Sequence, residues 1–98
     1  MAADLRDVDP AGLRLPSSRS SGADPGKLQR QIAKYGTSTA GMPPLLAYEA
    51  SDGVLEIYDG VTRATRVAKL PPGTTVQVEV IGKLKRPKAK SRRVGDTL

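Results

Sequence analysis

Leu55-Glu56-Ile57-Tyr58-Asp59-Gly60-Val61-Thr62-Arg63 changes periodicity in mid-run, and its reading decides the fold. Val54 to Tyr58 alternates, so Leu55 and Ile57 share one face of a strand. Asp59-Gly60 breaks that strand. Beyond it, Val61, Ala64, Val67 and Ala68 recur at helical spacing through Lys69. A helix that starts directly after a glycine turn presents unpaired N–H groups and the positive end of its dipole, a combination that attracts phosphate or carboxylate. Arg63 falls in the first turn, where a cation is unfavourable by up to about 1 kcal/mol unless an acid or a bound anion offsets it. Gly60 would let a ligand approach the backbone, Thr62 could donate its hydroxyl, and Arg63 could grip oxygens with its planar fork. The competing structural reading has Asp59 capping the helix and Arg63 paired with Asp59 or Asp52.

Outward from this turn, Leu70-Pro71-Pro72-Gly73 stops the helix and Thr74 to Ile81 reads as a strand, with Val76, Val78 and Val80 alternating with polar neighbours. Upstream, Pro43-Pro44 leads into a strand over Leu45 to Ala50, and Ser51-Asp52-Gly53 joins it to the next in a hairpin. An earlier helix is marked by Asp24 as cap, Pro25 at the first position and Gly36 beyond its end. Its Leu28, Ile32 and Tyr35 lie on one face, expected against a sheet, while Lys27, Arg30, Gln31 and Lys34 face water. Pro16 to Gly22 reads as a mobile loop, Leu13 and Leu15 as packing residues, and Leu5 to Val8 as an edge strand ended before Pro10. The order is strand, loop, helix, hairpin, helix, strand, tail.

With 98 residues there is room for one small core. No run reaches the roughly 18 apolar residues of a membrane span, and the polar N-terminus lacks a basic segment followed by an apolar stretch, so a cytoplasmic protein is expected. Cysteine and histidine are both absent, which removes thiolate catalysis, disulfides and the commonest metal ligands. Nine basic and nine acidic residues precede Lys83; from Lys83 onward seven basic residues face Asp96 alone, so the net charge of +6 sits at the C-terminal end. The expectation is a domain over residues 1–82 followed by a basic, flexible tail over 83–98.

The sequence of elements, with Asp59-Gly60-Val61-Thr62-Arg63 between strand and helix, resembles the ParB/sulfiredoxin-like superfamily over about Val8 to Ile81. The resemblance implies an α+β fold with a mixed sheet of about four strands and two or three helices. It also implies a phosphate or nucleotide site at Asp59, Gly60, Val61, Thr62 and Arg63, with Arg66 as an accessory. Sulfiredoxins have Gly-Cys-His-Arg at this point, the related free-serine kinases Asp-Gly-His-His-Arg, and chromosome-partitioning members Gly-Glu-Arg-Arg. Val61 and Thr62 match none of these, so sulfinic acid reduction is not supported, and no sequence-specific DNA reader is visible in the basic stretch after Ile81.

Three functions stay open on this reading. The first is a ParB-like domain binding a nucleotide or another phosphate ligand. The second is a nuclease-like or toxin enzyme acting on nucleic acid, which would need Asp52, Glu56 or Asp59 as base or as Mg2+ ligand; no other metal is expected. The third is a non-catalytic module, binding nucleic acid by charge through the basic tail or binding protein. The tail contains no aromatic residue, so it cannot itself stack bases. No membrane partner is expected, and a homodimer is compatible with the small core.

Overall fold

Val76, Val78 and Val80 lie on the central strand of a four-stranded mixed sheet in the computed structural model, which describes residues 3–70 and 73–98. This strand, β4 (Val76–Lys83), starts and ends two residues later than its alternation predicts. On one side it pairs antiparallel with β1 (Asp4–Val8), and on the other parallel with β2 (Leu45–Glu49). The hairpin partner of β2 is β3 (Leu55–Asp59), giving the order β1-β4-β2-β3. A parallel β2–β4 pair needs a long crossover, and β3 followed by helix α2 (Val61–Lys69) supplies it. The protein is thus an α+β domain with a mixed sheet and two α-helices. Of the Leu70 to Gly73 stop, Pro71 and Pro72 lie outside the described residues.

One face of the sheet carries Leu45, Ala47, Leu55, Ile57, Val76 and Val78, and α2 buries its Val61, Ala64, Val67 and Ala68 with them in one apolar cluster. Helix α1 (Pro25–Tyr35) has the expected ends: the Asp24 carboxylate accepts from the Gly26 amide at 3.0 Å, and Gly36 takes a φ of +57°. Its position differs from expectation. Because α2 occupies the apolar face of the sheet, α1 packs on α2 as a further layer, with Leu28 and Ile32 only half-buried and Tyr35 exposed. No helix among the described residues is long and apolar enough to cross a membrane.

The basic tail is also corrected. Arg14 N–H donates to the Leu55 carbonyl at 2.8 Å and the Arg14 carbonyl accepts from Ile57 N–H at 2.9 Å, so residues 13–15 line the edge of β3. On their far side, Leu15 N–H donates to Arg92 and Val94 N–H to Leu13. Residues 92–94 therefore close the sheet beyond 13–15, and Val94, with no exposed surface, joins Leu13 and Leu15 in the core. A lone valine among lysines and arginines has no periodicity, and its partners lie far away in sequence, so composition reads the segment as solvated. Asp52 ties the same strap down: its carboxylate accepts from the Ala89 amide at 2.8 Å and the Lys88 amide at 3.1 Å.

Two outcomes follow from the strap. Truncation after Arg93 removes buried Val94 and lowers unfolding stability by about 1.5–3 kcal/mol, read as a reduced urea midpoint; a solvated tail would leave the midpoint unchanged. Burial pushes the Asp52 carboxyl up, but the amides of Ala89 and Lys88 outweigh it and hold the group below its ordinary value. A depressed carboxylate stabilises the fold above its unfolded pKa of about 3.9 and ceases to do so as pH falls through the folded value. The Lys88 and Ala89 amide chemical shifts are expected to move together in an acid titration below about pH 3.9, and Asp52→Asn is expected to abolish that transition.

Candidate anion-binding site

The turn between β3 and α2 is shaped by a single contact. Gly60 has a φ of +114°, and a Cβ built there would stand 2.5 Å from Leu45 Cδ2, a buried core atom. Glycine is required on both counts. With no side chain at the turn, α2 starts directly against the first residue of β2, and its first amides emerge where β3 ends.

Those amides are not capped. No side chain accepts at the N-terminus of α2, so the carboxylate of Asp59 does not perform the capping role open to it. The first bond into the helix is Ala64 N–H to Gly60 O at 2.9 Å. Among the described residues, the amides of Val61, Thr62 and Arg63 meet no acceptor. They border a cleft of about 540 Å³ that also includes Arg19, Lys27, Gln31 and Tyr58.

Arg63 stands at the mouth of this cleft. Its Nη1 donates to the Pro43 carbonyl at 3.1 Å, and its Nη2 lies 3.6 Å from Asp59 Oδ2. The acid partner that a first-turn cation calls for is therefore present, but Asp59 is 66% exposed at its side chain, and exposed pairs of this kind contribute about 0–1 kcal/mol. An incoming oxyanion can take the guanidinium from Asp59 at small cost. Thr62 is half-buried and lines the same cleft. The structure thus brings Asp59, Gly60, Val61, Thr62 and Arg63 together at one open corner.

Arg66 does not belong to that corner. It is 2% exposed, and its Nη1 donates to the carbonyls of Gly36 at 2.9 Å and Ser38 at 2.8 Å, just past the end of α1. Its guanidinium also lies 5.4 Å from the Tyr35 ring centre. A cation at a helix C-terminus satisfies orphan carbonyls and complements the dipole, so Arg66 fastens α1 to α2 and is corrected from accessory ligand to structural clamp.

The three carboxylates of the enzymatic alternative are dispersed among separate tasks. Asp52 holds the strap, Glu56 Oε2 lies 3.4 Å from Lys88 Nζ, and Asp59 faces Arg63. Among the described residues no group of three His, Cys, Asp or Glu is arranged to hold a metal ion. Arg19, Lys27, Gln31 and Tyr58 are additions to the sequence reading. Lys27 and Gln31 sit four residues apart on the polar face of α1, a spacing indistinguishable from ordinary solvation, and Arg19 lies in the serine-rich loop, where Ser17–Arg19 forms a single 3-10 turn. Compared with known proteins, the chain matches no family model and no curated sequence.

Arg66→Ala strips the Gly36 and Ser38 carbonyls of their donor. A loss of about 1.5–3 kcal/mol, the worth of a hydrogen bond to a charged group, is expected. The check is urea unfolding, with faster amide exchange at the C-terminal end of α1 as the local signature.

Proposed function

We propose that this protein binds a phosphate-bearing ligand of the nucleotide class at the start of α2, as a domain of ParB/sulfiredoxin-like type. The observation that carries the reading is the conjunction of three unpartnered amides, Val61 to Arg63, with the Arg63 guanidinium at an open cleft. Backbone N–H groups converging at a helix N-terminus favour an anion through both hydrogen bonding and the helix dipole. Arg63 adds a charge-assisted donor, and with Arg19 and Lys27 it outnumbers the two acids of the cleft lining, Glu56 and Asp59, so the lining is net positive. The cleft volume of about 540 Å³ exceeds what inorganic phosphate fills and falls in the range of small-molecule sites. The Asp-Gly-x-x-Arg pattern and the order of elements support the same assignment.

Calorimetric titration with pyrophosphate and with each common ribonucleoside triphosphate tests it. Saturable binding is expected, and Arg63→Ala is expected to weaken it roughly 10- to 150-fold, the equivalent of losing one hydrogen bond to a charged group. Absence of heat across the whole panel, from protein shown to be folded, sinks the proposal.

A further inference from the structure

The alternation of β3 buries Leu55 and Ile57 under α2 and turns Glu56 and Tyr58 to the opposite face of the sheet. Tyr48 pairs with Glu56 across the hairpin and shares that face. Its ring rests on Gly82 of β4, where an added Cβ would come within 3.0 Å of Cδ1 and Cε1. Seated there, Tyr48 meets Tyr58 in a T-shaped contact, with ring centres 5.6 Å apart and planes at 83°. Tyr58 is 62% exposed, the most exposed of the large apolar side chains among the described residues. An aromatic ring held on one side and left to solvent on the other is a stacking surface.

The same face continues onto the strap. Arg14 bridges Glu56 on one side and Arg93 on the other. Because Leu13, Leu15 and Val94 point into the core, Arg14 and Arg93 point away from it. Two like charges directly opposite across paired strands are unfavourable. Their local partners relieve this only in part: Arg14 Nη1 donates to the Ser91 carbonyl and Arg93 pairs with Asp96 at 3.1 Å, while Arg14 Nε is buried with no acceptor. Lys88 reaches the same face at Glu56. From β3 to residues 92–94 is two strand spacings, roughly 10 Å, which is more than one phosphate covers.

We propose that this face binds single-stranded nucleic acid, one base stacking on Tyr58 and successive phosphates lying along Arg14, Lys88 and Arg93. It rests on the phosphate reading for its anchor: the strand enters at the amides of α2 and Arg63, in the cleft that Tyr58 also lines. A row of cations beyond the cleft selects a polyanion over a mononucleotide. A duplex has its base faces already stacked and offers none to Tyr58, so single strands are preferred. The positive excess of the chain is then part of the folded surface, laid beside the anion corner by the strap.

The test uses the full chain, because the strap contributes Val94 to the core and cannot be removed as a tail. Fluorescence anisotropy with a labelled 12-nucleotide single strand and its duplex is compared for the parent protein, Tyr58→Ala, Tyr58→Phe and Arg93→Gln. Tyr58→Ala is expected to bind the single strand roughly 5- to 150-fold more weakly, the range of one lost base stack, and Tyr58→Phe to bind like the parent. Arg93→Gln is expected to flatten the salt dependence by about 0.7 in log K against log salt, one phosphate contact on a single strand. Parental affinity in Tyr58→Ala, or equal affinity for duplex and single strand, overturns the inference; if the parent still binds pyrophosphate, the phosphate reading stands alone. Failure to bind either pyrophosphate or oligonucleotide overturns both.

Discussion

Leu45 leaves no room for a side chain at Gly60, and the position of α2 depends on that contact. Leu45 is the first residue of β2 and fully buried, paired in register with Val78 of the central strand. Gly60 packs on it in a left-handed conformation that only glycine adopts without strain. The chain can therefore turn within one residue from β3 into α2, which brings Val61 and Ala64 onto the core and leaves the first amides of the helix facing outward. A longer turn would set the helix further from the sheet and give those amides room to find partners in the loop. The open corner at the start of α2 is a by-product of tight packing beneath it.

Local pattern was enough to read the elements whose stabilising partners are near in sequence. The hairpin, the switch from period two to helical spacing at Gly60, and the Asp24-Pro25 and Gly36 ends of α1 each depend on residues a few positions apart. Contacts between distant segments were not legible. Val94 has its partners about eighty residues upstream, at Leu13 and Leu15, and nothing in the basic residues around it announces a buried rung. The layer of α1 is not legible either, because its amphipathic face is equally suited to a sheet or to another helix. At the site, the turn itself was legible from Gly60 and Arg63, whereas its walls were not, since Arg19, Lys27 and Gln31 look like any solvated polar residues.

The strap also alters what the net charge means. In an unfolded arm, seven basic residues would sweep a volume and bind polyanions without regard to shape. Here the segment is fixed at Asp52, Arg14 and Val94, so the positions of Lys88 and Arg93 relative to Tyr58 are set by the sheet. Pairing of residues 13–15 and 92–94 beyond β3 covers an edge that would otherwise present unpaired N–H and C=O groups to another chain. One segment thus serves stability, through Val94 and edge protection, and electrostatics, through the arginines that must point outward when their neighbours point in.

Arg63 and Arg66 are three residues apart on one helix, yet their environments divide the work between them. Burying a guanidinium without a carboxylate is costly, and Arg66 is tolerated because the carbonyls of Gly36 and Ser38, at the negative end of α1, take two of its protons while Tyr35 covers it. That clamp fixes the end of α1 farthest from the cleft. Rigidity of the helix carries the constraint back along its length, so Gln31 and Lys27, about one and two turns toward the start, are held against the cleft that Arg63 borders. The buried arginine therefore touches no part of the cleft where the amides of α2 open, and meets its wall only through the helix it fastens.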